Sequence, residues 1–231
     1  MEKSFTTSTV HFLQEGRDNL RATLGVAFRA AVVHNVKRIV IFTAMGEGVR
    51  AALDEFTLRP EYENIKLIAV TFPTGKVFTD SASQSIKVEI PGTDEAHFQE
   101  KGVPIVRAHL PFDTIPSPHN DRGPLAQSLS LVGDALNMFG GSMSLCVQAV
   151  TLACDAGKVD LGEHVISLTS DTAILVQATC TRRMLQELVI REVLCKPAIL
   201  TISRKETSEE ILPGLETPPR APAKRLAPAT E

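Results

Sequence analysis

Apolar and polar residues alternate along the chain in blocks that predict strands followed by helices. The two clearest strand blocks are apolar runs at 37–43 and 65–71, and each ends in threonine. Apolar residues at consecutive positions are typical of strands buried on both faces, as in parallel sheets. A third strand is predicted at 103–106, where Pro104 places it near a strand start or at a sheet edge.

Apolar residues spaced three and four apart predict the intervening helices. Helices are expected from about 17 to 34, from 47 to 55 and over 94–101. The longest pattern covers 125–154 and is interrupted by Gly140-Gly141, where each glycine costs a helix ~1 kcal/mol relative to alanine. The pair indicates the close approach of another backbone or a ligand, or close helix packing.

The remaining segments continue the alternation of strands and helices. An added strand is predicted at 85–90, two short strands at 164–169 and 172–178, a helix at 181–188 and one or two strands in 189–202. This order predicts an α/β fold, a three-layer α/β/α sandwich over about residues 10–202 with a mostly parallel sheet whose first three strands are parallel. Ligands bind such sheets where strands end in loops, so we expect a site at one end of the sheet.

A single α/β domain is expected over 1–202, and the composition changes after it. The segment 203–231 holds five prolines and balances five basic against five acidic residues. Such a composition cannot build a core and predicts a linker or disordered arm.

Composition and charge exclude several classes of protein. A net charge of -3 provides no basic field for nucleic acid, and the absence of tryptophan, with a single tyrosine, argues against a platform for stacking bases. No membrane-spanning apolar run or signal peptide is found, so we expect a cytoplasmic protein with no membrane partner. The four cysteines lack CxxC spacing and are expected to be reduced and buried.

The stretch from Ile39 to Leu53 predicts a strand, a glycine turn and a helix start. Glycines permit a turn that side chains would obstruct, and the helix directs its free N–H groups and positive dipole end at that turn. Such a turn attracts phosphate. The GxxxxGK[ST] and GxGxxG patterns are absent, so a tight turn without a ligand is the alternative. The predicted anion cradle comprises Thr43, Ala44, Met45, Gly46, Glu47 and Gly48, with Glu47 directed outward or capping the helix.

Other loops supply further candidate ligand contacts. Thr71 and His109 also end predicted strands, and Arg122 suits a phosphate because its guanidinium donates paired hydrogen bonds. Asp171, within Thr169-Ser170-Asp171-Thr172, could orient a ligand hydroxyl or shape a turn. The histidines, including His119, have no metal-ligand spacing, so no metal is predicted. No GxSxG elbow or other nucleophile setting is present.

Several motifs, taken in order over about residues 10–200, resemble a known family. They are Phe12-x-x-x-Gly16-x-x-Asn19, Thr43-x-x-Gly46-Glu47, Leu136-x-Met138-Phe139-Gly140, Ala153-x-Asp155-Ala156-Gly157 and Asp171-Thr172-Ala173. The stretch 39–71 is similar to the start of the pyruvate kinase C-terminal domain, where a strand–Thr–x–x–Gly turn holds the sugar-phosphate activator. The closer resemblance is to stand-alone proteins of that fold, which lack the catalytic barrel and have no assigned activity.

The resemblance implies a pyruvate kinase C-terminal-domain-like fold and a small phosphorylated ligand, either a nucleotide, flavin mononucleotide as a cofactor, or a sugar phosphate. It also implies a homo-oligomer, and its motifs and the glycine pair add candidate contacts at Phe12, Gly16, Asn19, Gly140 and Gly141. Two functions stay open, a binding or regulatory protein and an enzyme acting on a phosphorylated or flavin-type molecule. The chain departs from the family at Leu20, where threonine is usual, and in its short loop before Asp171.

Overall fold

The computed structural model describes residues 6–79, 85–113 and 124–198. Within these ranges the strands are β1 (Val10–Phe12), β2 (Arg38–Phe42), β3 (Lys66–Thr71), β4 (Val77–Thr79), β5 (Ser85–Lys87), β6 (Ile105–Arg107), β7 (His164–Leu168), β8 (Ala173–Gln177) and β9 (Val189–Pro197). The α-helices are α1 (Leu20–Val33), α2 (Glu47–Glu55), α3 (Gly92–Glu100), α4 (Pro124–Asn137), α5 (Met143–Asp155) and α6 (Met184–Glu187). Short 3-10 helices cover Arg17–Asn19, Pro60–Tyr62 and Thr181–Arg183. The predicted tail at 203–231 lies outside the described residues.

In the described part of the chain, seven strands form one sheet in the order β1-β9-β8-β7-β2-β3-β6. β2 pairs in parallel with β3 and β7, and β3 pairs in parallel with β6. The parallel arrangement predicted for the first three strands is therefore confirmed. β8 runs antiparallel to both β7 and β9, whereas β1 is parallel to β9. The sheet is thus mostly parallel, as the sequence predicted.

Helices cover both faces of this sheet and give the predicted three layers. Ile39 and Ile41 of β2 belong to an apolar cluster that includes Phe28 of α1. Their neighbours Val40 and Phe42 belong to a second cluster, which contains much of α5. Successive strand residues point to opposite faces, so a continuous apolar run is what a sheet covered on both sides requires. No helix in the described ranges is both long and apolar enough to cross a membrane.

The helical pattern predicted over 125–154 is two helices, which corrects the sequence prediction. α4 ends at Asn137 and α5 begins at Met143. Between them, Gly140 and Gly141 have φ angles of 81° and 63°. These left-handed values end a helix, and glycine adopts them at little cost.

Three shorter segments also differ from the predictions. The added strand expected at 85–90 is reduced to β5, which pairs with β4 in an antiparallel hairpin separate from the main sheet. No strand was predicted at Val10–Phe12, yet β1 pairs with β9, and the Phe12 carbonyl accepts the Ala198 N–H at 2.7 Å. The helix expected at 181–188 begins as a 3-10 turn before α6.

Candidate functional site

A cleft of about 180 Å³ lies at the carboxyl ends of β2, β3 and β7. These strands are parallel neighbours, so their carboxyl ends meet at one edge of the sheet. The residues at those ends that line the cleft are Phe42, Thr43, Ala44, Phe72, Thr169 and Ser170. The sheet therefore brings together the predicted turn at 43–48 and part of the predicted 169–172 loop.

The first turns of three helical segments complete the cleft. They contribute Arg17 and Leu20 from the start of α1 and its preceding 3-10 turn, Glu47 and Gly48 from α2, and Ser142 and Leu145 from α5. First-turn N–H groups lack intrahelical acceptors and carry the positive end of the helix dipole. Arg17 supplies the full positive charge among the lining residues. The lining thus combines helix first turns and one guanidinium with the carboxylate of Glu47.

The turn after β2 is held by hydrogen bonds that centre on Thr43. Its backbone N–H donates to the Val70 carbonyl at 2.9 Å, which ties the turn to β3. Its Oγ1 accepts the Gly46 N–H at 3.1 Å and donates to Glu47 Oε2 at 3.0 Å. Gly46 has a φ of 88°, so the glycine predicted for this turn is required by backbone conformation.

Glu47 folds back over the turn instead of pointing outward. Its Oε2 accepts both the Thr43 hydroxyl and the Met45 N–H, each at 3.0 Å. Its Oε1 lies 3.9 Å from Arg17 Nε. Of the two placements predicted for this side chain, it does not take the outward one, and its carboxylate accepts the Met45 amide just before the start of α2.

Asp171 joins three loops beneath the cleft. Its Oδ2 accepts the Gly16 N–H at 2.9 Å, and its Oδ1 accepts the Thr172 hydroxyl at 3.0 Å. Thr172 Oγ1 in turn accepts the Ser142 N–H at 3.0 Å. Asp171 and Thr172 are both buried and do not line the cleft. Asp171 thus ties the loop at Gly16 to the segment before β8, and the two roles predicted for it stay predictions.

The glycine pair approaches this same network closely. A Cβ atom at Gly141 would lie 2.3 Å from Thr172 Oγ1 and 2.7 Å from Pro197 Cδ. Gly140 lies beside the Pro197 carbonyl, which would be 3.7 Å from a Cβ atom there. The close approach predicted for the glycine pair is therefore to the chain itself, at Thr172 directly before β8 and at Pro197 of β9.

Among the other predicted contacts, Met45, Gly46, Thr71 and His109 do not line the cleft. Thr71 is buried, and its hydroxyl donates to the Ala44 carbonyl at 3.4 Å, so it supports the turn from behind. His109 Nε2 lies 3.2 Å from the Asp113 carbonyl, beyond the end of β6. Arg122 lies outside the described residues.

Two of the wider candidates also have structural partners. Phe12 packs against the apolar cluster that contains α1. The side-chain amide of Asn19 donates to the Gln14 carbonyl at 2.7 Å, which closes the loop before α1. Neither residue lines the cleft.

Sequence reasoning missed several lining residues, above all Arg17 and Ser142. Each directly follows a glycine that had been singled out, Gly16 and Gly141, so the glycines themselves were the available signal. Phe72 was also missed. Its ring packs edge-to-face on that of Phe42, with centroids 5.0 Å apart, and the two form an apolar wall of the cleft.

Three of the four thiols, those of Cys146, Cys154 and Cys195, are poorly suited to nucleophilic chemistry. Burial raises the pKa of Cys146 far above its usual value, that of Cys154 to about 12 and that of Cys195 to about 11. A thiol with so high a pKa holds almost no thiolate at neutral pH. Within the described ranges, no group of three or more histidine, cysteine or acidic side chains is placed to hold a metal ion.

The fold is that of a three-layer α/β protein with a cleft at the strand ends. No protein-family model matches the chain. Solved structures that match include a Cryptosporidium parvum pyruvate kinase, at 14% identity and a TM-score of 0.32 over 71% of this chain. A pyruvate kinase from the same organism in complex with ADP matches at 13% identity and a TM-score of 0.29 over 76% of this chain.

Each of these two matches covers 23% of the pyruvate kinase chain, so the present chain spans less than a quarter of those proteins.

Proposed function

We propose that this chain is a binding protein for a small phosphorylated molecule, held in the strand-end cleft by backbone N–H groups, Thr43 and Arg17. The observation that carries the proposal is the convergence of three helical first turns and Arg17 on one cleft at the ends of three parallel strands. Helix N-termini bind phosphate through their free N–H groups and dipole, and a guanidinium adds paired donors.

The size of the cleft favours one class among the candidate ligands. Its volume of about 180 Å³ is below the roughly 300–1,000 Å³ of pockets that enclose drug-sized ligands. A phosphate with a small polar group, such as a sugar, suits this space. The three-ring system of flavin mononucleotide and the base of a nucleotide would lie outside it. A sugar phosphate is therefore the ligand class that we favour.

We also propose that the chain is related to the stand-alone pyruvate kinase C-terminal-domain-like proteins. The support is the order of the sequence motifs. Two of these motifs lie close together in the structure. The turn that contains Thr43 lines the cleft, and Asp171 holds Gly16, next to the lining residue Arg17, by a hydrogen bond.

The proposal is tested by calorimetric titration with inorganic phosphate, glucose 6-phosphate and flavin mononucleotide. The wild-type protein should bind the sugar phosphate most tightly. Thr43→Val removes a hydroxyl, and Arg17→Gln removes the cleft cation. Each should weaken binding of the sugar phosphate about ten- to a hundredfold, the effect of losing roughly one hydrogen bond to a charged group. Gly46→Val is unsuitable because the φ of 88° would strain any other residue.

Arg21→Gln is the matched control. Arg21 lies one turn beyond Arg17 and pairs with Glu55 at 2.8 Å, away from the cleft lining. Its substitution should leave the affinity unchanged. Wild-type protein that binds none of the three compounds, or unaltered affinity in both cleft variants, would refute the proposal.

A further inference from the structure

The carboxylate of Glu47 lines the cleft and contacts two other lining residues, Thr43 and Arg17. One oxygen, Oε2, takes the Thr43 hydroxyl and the Met45 N–H at 3.0 Å, and the other lies 3.9 Å from Arg17 Nε. A hydroxyl, a backbone amide and a guanidinium form the donor set with which proteins bind phosphate oxygens. The chain thus places its own anion among these donors, of which Thr43 and Arg17 line the cleft.

A phosphate cannot share these donors with the carboxylate. The Thr43 hydroxyl has one proton, and the Met45 amide has one. Two negative groups within a few ångströms of each other also repel, more strongly in a partly desolvated cleft than in water. A phosphate must therefore displace Glu47, whose side chain is 29% exposed and can rotate toward solvent.

We infer that Glu47 is the specificity-determining residue of the cleft, acting as a built-in competitor that only a strongly anionic ligand displaces. The inference rests on the proposed function. A dianionic phosphate offers the donors more charge than the Glu47 carboxylate does and replaces it. A carboxylic acid ligand offers no more than Glu47 already provides and is rejected. Glu47 thereby lowers the affinity for every anion and selects phosphate over carboxylate.

The test titrates inorganic phosphate, and separately acetate, into wild-type protein, Glu47→Gln and Glu47→Ala. Gln keeps the size of the side chain and removes its charge, and Ala removes the competing oxygens altogether. Both variants should bind phosphate about tenfold more tightly, as expected when a charge-assisted hydrogen bond no longer has to be broken. Acetate should bind the Glu47→Ala variant and should show no binding to the wild-type protein. In amide NMR spectra, phosphate should shift the Met45 signal of the wild-type protein.

Glu55→Ala is the control, because Glu55 ends the same helix and pairs with Arg21 outside the cleft. It should retain wild-type affinity for phosphate. If the wild-type protein binds phosphate and the Glu47 variants bind it equally or more weakly, Glu47 is structural or contacts the ligand, and this inference fails while the proposed function stands. If neither the wild-type protein nor any variant binds phosphate, both fail. Binding that appears only in the Glu47 variants also overturns the inference, because phosphate then fails to displace Glu47 from the wild-type protein.

Discussion

Burial controls the protonation of Cys195, a fully buried side chain of β9. Burial raises its pKa from the usual value near 9 to about 11, since a thiolate would lose its hydration there. The neighbouring carboxylate of Asp171 acts in the same direction. The native state therefore holds the thiol proton more tightly than the unfolded chain does.

This difference predicts a loss of stability in alkali. Between pH 9 and 11 the unfolded chain releases the Cys195 proton and the native chain retains it, so the free energy of unfolding falls as pH rises. The slope contributed by one thiol is at most about 1.4 kcal/mol per pH unit. Urea denaturation at pH 8 to 11 should show a shallower decline for Cys195→Ala than for the wild-type protein. Identical slopes would contradict the assignment.

Two residues of the turn after β2, Gly46 and Glu47, show which features of the site can be predicted from the local sequence. The role of Gly46 in the turn was predictable because a tight strand-to-helix connection needs a left-handed residue. Which of the two placements predicted for Glu47 it takes could not be predicted, because its partners include Arg17, which sequence distance separates from the turn. Hydrogen-bond partners that come from another loop leave no pattern near the residue itself.

At the scale of elements, the turn between α4 and α5 is the clearest difference from the predicted pattern. Apolar spacing continues with helical period from Leu136 through Phe139 and Met143 to Cys146, so periodicity alone does not reveal the break. The turn is instead determined by Gly140 and Gly141, whose backbone conformation lets Ser142 donate to Thr172.

Close packing at Gly141 predicts a large effect of adding one methyl group. Gly141→Ala would place a carbon 2.3 Å from Thr172 Oγ1, and its φ of 63° is unfavourable for alanine. Gly157→Ala is a matched control with a φ of 64° and open space around its Cβ position. The control should lose about 1–2 kcal/mol of stability from backbone conformation alone. Gly141→Ala should lose about 1–3 kcal/mol more through overpacking, measured by urea denaturation. Equal losses would mean that the contact with Thr172 relaxes freely.

The short strand β1 was missed for a related reason. Only three residues form it, and Val10 and His11 are exposed, so no buried alternation marks it. Its place is set by backbone pairing with β9 at the opposite end of the described chain. The buried strands β2 and β3 were predicted because burial on both faces demands an unbroken apolar run.

For the whole molecule, self-association stays a prediction from the sequence. Three large exposed apolar side chains, Leu131, Met138 and Phe139, lie on α4 or directly after it, and such surfaces favour contacts between proteins. We expect light scattering to give a mass well above that of the 25.0 kDa chain at micromolar concentration. A mass near 25 kDa across the whole concentration range would rule out a stable oligomer.

The sequence by itself determined the three-layer architecture, the parallel direction of the first strands and the position of Thr43 at a strand end. These features follow from local burial patterns, because an apolar run or a helical period can be recognised from residues that are close together in the sequence. Only the tertiary structure decided that β7 lies beside β2, which brings Ser142, Ser170 and Arg17 to the same cleft as Thr43. It also decided that Glu47 turns toward Thr43, Met45 and Arg17. Strand order and contacts between residues far apart in the sequence depend on how whole elements pack, which local patterns do not specify.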